Sequence, residues 1–162
     1  MAKLIIGKSA PKSFPLKVIV PTPTGDDEIN FTAKHLKSTD WAKMREAHAE
    51  GIGKTVQALF DAARAEAEKA YADSKPKKAT DDEKEAAIVA LVKPVKESEV
   101  ATLRAKHSGD LIAQIMEGWD LEEPIGADSL AEMCDTYPGA AEAVFKAYNE
   151  TREGQRLGNS AK

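Results

Sequence analysis

The apolar residues of this chain change their period once, and that change constrains the fold more than any single motif. In "DEINFTAKHL", Asp27 to Leu36, the residues Ile29, Phe31 and Ala33 alternate with polar neighbours, the step of a strand with one buried face. "FPLKVIV", Phe14 to Val20, is a short β-branched run, and "PTPTGDD" between the two is turn chemistry throughout. An antiparallel hairpin follows. Past Ser38 or Thr39, either of which can cap a helix, the step lengthens to three and four. Trp41, Met44, His48, Ile52, Val56, Leu59, Phe60, Ala63, Ala67 and Tyr71 then fall on one helical face. Gly51 and Gly53 interrupt that stripe at about 1 kcal/mol each against alanine, so a kink or break is expected there.

"ADSKPKKA" reads as an exposed linker, followed by the capping box Thr80-Asp81-Asp82-Glu83. The helix it opens runs through "EAAIVALV" and stops before Pro94. Ser98 caps the next, whose stripe is Val100, Leu103, His107, Leu111, Ile115 and Trp119, with Gly109 weakening its middle. "LEEPIG" breaks the chain, Ser129 to Glu132 forms a second capping box, and Tyr137-Pro138 opens a last helix. Its stripe is Ala141, Val144, Phe145 and Tyr148, with Val144 and Phe145 read as core and Tyr148 as a rim residue whose hydroxyl reaches water. There is no internal repeat. The expected fold is mainly α with an N-terminal antiparallel β-hairpin, a helix-rich α+β chain. Its expected segments are a hairpin (1–37), a first helical segment (38–73), a linker (74–80), a C-terminal helical cap (81–159) and a tail (160–162). An exposed hairpin edge guarded by the lone charge of Lys17 predicts small oligomers or a concentration-dependent equilibrium.

The residue types exclude more functions than they propose. Twenty-three basic residues stand against 27 acidic ones, so there is no general field for a phosphate backbone, and nonspecific nucleic-acid binding is not expected. Cys134 is the single cysteine, which rules out internal disulfides and multi-cysteine metal sites. Leu4, Ile5 and Ile6 are too short a run for a signal-peptide core, and nothing approaches the ~20 apolar residues of a membrane helix. The expectation is a soluble, intracellular protein.

"GIGKT", Gly51 to Thr55, matches the end of a phosphate-binding loop, but its first required glycine is replaced by His48. "WAKMREAHAE" before it is helical in period, where such a loop needs a buried strand. His35, His48 and His107 lie on different elements without metal-ligand spacing, and Cys134 beside Met133 reads as core packing. The acidic pairs Asp26-Asp27, Asp81-Asp82 and Glu122-Glu123 belong to turns, helix starts and solubility. No catalytic, cofactor-binding or metal-binding residue is assigned, and a non-enzyme is expected. Aromatic residues near helix ends are left: Trp119, Tyr137 and Tyr148, each either closing a helical core or anchoring a partner.

The segment "GDLIAQIMEGWDLEEPIGADSLAEMCDTYPGAAEAVFKAYNETREGQRLGN" resembles the C-terminal half of tail assembly chaperones of long-tailed bacteriophages. The likeness rests on Gly118-Trp119-Asp120 after an amphipathic segment, a polar excursion, a small helix around Leu130, Tyr137-Pro138, a helix bearing Phe145 and Tyr148, and a terminal Arg156-Leu157-Gly158-Asn159. "INFTAKHLKSTDWAKM" is similar to the opening strand and first helix of such proteins; Gly51 to about Val95 adds nothing to the likeness.

The resemblance implies a non-structural morphogenesis factor, acting in the host cytoplasm and absent from the mature virion. It implies binding to the long, largely helical tape-measure protein, which it keeps soluble, and recruitment of tail-tube subunits. It also implies a longer form made by ribosomal frameshift near the gene's end, with "GQRLGNSAK" at the junction. The candidate partner contacts are Trp41, Trp119, Tyr137, Tyr148 and Arg156. The alternative is a small regulatory module that binds a protein or a nucleic acid; a nucleotide-binding enzyme built on "GIGKT" is a more distant one.

Overall fold

The computed structural model describes residues 11–74 and 79–154. Its elements are β1 (Ser13–Thr22), β2 (Gly25–Lys34), α1 (Ser38–Asp73), α2 (Asp81–Leu91), α3 (Glu97–Ile115), β3 (Met116–Trp119), α4 (Ala127–Thr136) and α5 (Ala140–Arg152). The expected helix-rich α+β fold is what forms. The residues group into two compact units, Met1–His48 with Ala105–Lys162 and Ala49–Arg104.

The hairpin of the first unit pairs in register from Ser13 with Lys34 to Thr22 with Gly25, leaving Pro23-Thr24 as its tip. At the tip the Thr22 hydroxyl donates to the Gly25 carbonyl at 2.7 Å. Alternation turns Leu16, Val18 and Val20 of β1 and Ile29, Phe31 and Ala33 of β2 to one face, all buried. The sheet has a third strand that the helical stripe through Trp119 did not anticipate. α3 ends at Ile115, and Met116–Trp119 pairs antiparallel with β2 in the order β1-β2-β3. Met116 pairs with Ala33 and Trp119 with Phe31, and the register shifts between Thr32 and Ala33. The extra residue lets Met116 and Trp119, three apart, both meet core-facing partners.

β1 is the outer strand, and its edge is protected differently from the expected lone Lys17. The His35 N–H donates to the Lys12 carbonyl at 2.8 Å, which fixes the parity of the ladder. Even-numbered residues of β1 turn their backbone groups to β2, and odd-numbered ones turn theirs away. Pro15 and Pro21 therefore stand where their missing N–H would have faced outward. α5 packs against this same strand. Lys17 itself is in an ion pair with Glu28 on the neighbouring strand.

α3 and α4 deliver Leu111, Ile112, Ile115, Leu130, Met133 and Cys134 to the core, and α5 delivers Ala140, Val144, Ala147 and Tyr148. Each large aliphatic side chain so buried contributes about 1.5–3 kcal/mol. Gly109 is what lets α3 meet α4 closely: a Cβ there would lie 2.5 Å from the Ala131 nitrogen and 2.8 Å from the Ala127 oxygen. Two expected helix starts shift. α4 begins at Ala127, so Ser129 is inside its first turn, accepting from the Gly126 N–H at 3.0 Å rather than capping a later helix. α3 begins at Glu97, which puts Ser98 inside the helix as well.

In the second unit, α1 runs through Gly51 and Gly53 without the expected break. The Thr80 box is present in full, with the Thr80 N–H donating to Glu83 at 2.9 Å and the Glu83 N–H to the Thr80 hydroxyl at 3.3 Å. The Thr80 N–H and, at 3.1 Å, the Thr80 hydroxyl both donate to the Glu83 carboxylate and hold it below its ordinary pKa. Arg64 forks onto Glu85 at 2.8 and 2.9 Å and reaches Glu68 at 3.1 Å, and Lys93 pairs with Glu66. Of the expected linker, 75–78 lie outside the described residues.

Candidate partner-binding surface

α5 organises the first unit through one aromatic residue. The Tyr148 ring is fully buried, 5.0 Å from Trp41 and stacked 5.8 Å from Phe14. Its hydroxyl donates to the Lys34 carbonyl at the end of β2, at 2.8 Å. Burial raises the phenol above its ordinary pKa, against the opposing charge of Arg152, whose guanidinium lies over the ring at 5.5 Å. Arg152 also donates to the Leu36 carbonyl at 3.2 Å, bracing the turn between β2 and α1. Trp41 completes the arrangement, its indole N–H donating to the Asn149 side chain at 2.7 Å.

Tyr148 thus departs from the rim position expected for it. Ala140, Val144, Ala147 and Tyr148 are the buried set of α5, and Phe145 is only partly buried. The inward direction of the helix is set by what it packs on, and it falls between Val144 and Tyr148.

Gly118-Trp119-Asp120 has a comparable job at the other edge of the sheet. Trp119 leans on Phe31 at 5.9 Å and donates its indole N–H to the Glu123 carbonyl at 2.6 Å. Asp120 accepts from the Asn30 side chain at 2.8 Å and from the Asn30 N–H at 3.0 Å, bonds that hold its carboxyl below the ordinary range. A tryptophan and a carboxylate together pin β3 and its exit loop to β2. The motif is a clamp.

The remaining polar centre is His48, edge-on to His107 at 6.2 Å and to Phe145 at 6.3 Å. Its Nε2 is buried with no hydrogen-bond partner. Burial is the main cause lowering its pKa, assisted by His107; a hydrogen bond to the His107 backbone and the charge of Asp110 oppose it. The Cys134 thiol is buried and pushed up to about 11 by desolvation, the state of a packed, unreactive cysteine. Among the described residues, no group of three or more His, Cys, Asp or Glu is placed to hold a metal ion. No helix among them is long and apolar enough to cross a membrane.

The surface of the first unit carries a groove of about 440 Å³. Its strand side is Lys17, Ile19 and Pro21 of β1, and its helix side is Gly139 with Glu142, Ala143, Lys146, Ala147 and Glu150 of α5. Ile19 is 46% exposed, a large aliphatic residue on the outward face of its strand. Gly139 permits the close approach at one end, since a Cβ there would lie 2.7 Å from the Pro21 ring. A second, smaller depression of about 300 Å³ is lined by Val20, Ile29, Leu121 and Tyr137, among others.

The residues singled out from sequence are spread over these features. Trp41 and Tyr148 lie side by side in the core, Trp119 is half-buried in the clamp, and Tyr137 is half-buried beside Leu121. Arg156 lies outside the described residues. The groove escaped sequence reading, although a trace of it was there: Ile19 breaks the polar side of the "FPLKVIV" alternation, and Glu142, Lys146 and Glu150 recur every fourth residue.

The polar groups described above mostly hold elements together, and the open apolar surface lies in a groove and at scattered exposed side chains. Together they make a small helix-rich α+β fold with an open groove. The model of the phage tail assembly chaperone family matches residues 1–159, and the chain belongs to that family. No curated protein and no solved structure matches it. Membership makes phage tail proteins its partners and suggests a non-catalytic role.

Proposed function

We propose that this chain binds the phage tape-measure protein, keeps it soluble, and helps bring tail-tube subunits to it during tail assembly. It works in the host cytoplasm and is left out of the mature virion. The observation that carries this reading is the family match over 1–159, and the open groove along α5 and β1 supports it by supplying apolar surface. A tape-measure segment that exposes helical apolar stripes would aggregate alone, and a groove of this kind covers such a stripe. Release without a nucleotide requires modest contacts, so that tube subunits displace the chaperone by mass action.

Of the aromatic candidates, Tyr137 and Trp119 keep part of their surface open and serve as contacts, while Trp41 and Tyr148 act by shaping α5. Self-association enters as a concentration-dependent equilibrium, which light scattering over a dilution series measures; a strict monomer throughout would remove it. The test of function is co-expression of a tape-measure fragment with this chain, followed by assay of the fragment's soluble fraction. We expect the fragment to become soluble only with the chaperone present. A fragment that stays insoluble sinks the proposal.

A further inference from the structure

The groove along α5 has a pattern that selects one kind of occupant, and resting on the chaperone reading above, we infer that it is an amphipathic helix of the partner. This helix would bear large aliphatic side chains flanked by a cation–anion–cation series at four-residue steps.

The helix side of the groove has two parallel rows. Gly139, Ala143 and Ala147 recur every fourth residue and leave a channel with no bulky side chain. Glu142, Lys146 and Glu150 recur at the same step beside it and alternate in charge. Among the described residues these three form no ion pair, so each charge is free to meet another. Residues four apart on a helix are neighbours on its surface, so both rows repeat at the spacing of a second helix laid alongside. From Gly139 to Glu150 the groove is roughly 17 Å long, about three helical turns. Ile19 and Pro21 form the facing wall, apolar and already exposed. Large side chains of the occupant fill the channel against them, and its lysines and glutamate meet Glu142, Glu150 and Lys146.

Two other occupants fit worse. An added strand needs outward N–H groups along β1, where Pro15 and Pro21 have none and α5 already packs. A second copy docking its own α5 in register puts like charge on like. Run antiparallel, Glu142 meets Glu150 and Lys146 meets Lys146; run parallel, each residue meets its own kind. Like charges juxtaposed across an interface are the usual device for rejecting a partner.

The test uses two synthetic helical peptides, roughly five turns long, with identical leucine stripes. One carries Lys–Glu–Lys at four-residue steps along the stripe, and the other carries Glu–Lys–Glu. Fluorescence polarisation against the full chain is expected to show the first binding about tenfold more tightly, the yield of a few exposed ion pairs. In the chain with Glu142→Lys, Lys146→Glu and Glu150→Lys together, the preference should invert, while a thermal melt confirms that the fold is kept. Equal binding of the two peptides, or a preference that survives the triple exchange, overturns the inference. So does a dimer in light scattering that Ile19→Asp dissolves, since the groove would then belong to a second copy. The functional reading is judged separately. If the wild-type chain solubilises the tape-measure fragment and the triple variant does so equally, the groove assignment falls and the chaperone stands. If the wild-type fails, the chaperone reading falls whatever the peptides do.

Discussion

The two units bury their apolar residues very differently. The first gathers one core from every element that touches it: both hairpin strands, β3, α3, α4, α5 and the start of α1. The second, Ala49–Arg104, buries only Ala67 and Ile88 among its described residues and leaves Phe60, Val89 and Leu91 about half exposed. Its elements are tied by surface charges instead, Arg64 to Glu85 and Glu68 and Lys93 to Glu66. Exposed ion pairs are worth ~0–1 kcal/mol each, well short of a core. The family model nevertheless runs through this thinly packed unit, since it matches residues 1–159.

The sharpest way to break that contrast is to remove one aromatic from each unit. Tyr148→Ser deletes a buried ring with neighbours in Phe14 and Trp41 and a hydroxyl bonded to the Lys34 carbonyl. We expect a loss of about 3 kcal/mol or more by denaturant titration. Phe60→Ser, at a site 51% exposed, should cost much less. Comparable losses would mean that Phe60 is covered in the working protein.

A second measurement asks how closed the first core is. With the Cys134 thiol pushed up to about 11, its thiolate fraction near neutral pH is about a hundredfold below that of an ordinary cysteine. We expect a thiol reagent to label it only as the chain unfolds, on the timescale of unfolding followed by circular dichroism. Labelling at the rate of a free thiol would show the first core opening as readily as the second unit.

How much of this was legible in sequence depends on how local the cause was. The hairpin could be read because alternation and a turn cluster lie within one short stretch, and the Thr80 box because both partners lie in one helical turn. β3 could not be read. "MEGW" is too short to show alternation, and it is held by Asn30, 90 residues from Asp120. The stripe on α5 identified the right helix face but not its centre. Phe145 and Tyr148 both lie on that stripe, and only the packing of α5 against β1 and Trp41 decides which is swallowed. The groove is tertiary in origin, made where the outward side of a strand meets the flank of a helix more than a hundred residues later in the chain.

A smaller effect is expected from the cap of α2. Thr80→Ala removes the hydroxyl that accepts the Glu83 N–H, at about 1 kcal/mol for a typical cap. Because few buried contacts hold this unit, the loss should appear as faster amide exchange confined to α2, with β1 and β2 unchanged. Exchange that rises equally in the hairpin would show that the units unfold together, and the contrast between them would be one of appearance only.

The smallest expected effect is an ordering of the two units by acid. His48 has a folded pKa below its ordinary value, so its neutral form is favoured by folding. Its contribution is complete above about pH 6.5 and is lost as the pH falls through the lowered value. Glu83 is also depressed, because the Thr80 backbone and hydroxyl bond its charged form. Its contribution is complete above the ordinary carboxylate value of about 4 and is lost only below that. The well-packed first unit should therefore begin to loosen around His48 at a higher pH than α2 loosens at its cap. Amide exchange near His48 and Glu83, followed from neutral to acid, reads the two steps separately. His48→Phe should abolish the first step and leave the second. If α2 yields first, or if the first step survives the substitution, the half-buried imidazole is not what makes the better-packed unit the more acid-sensitive one.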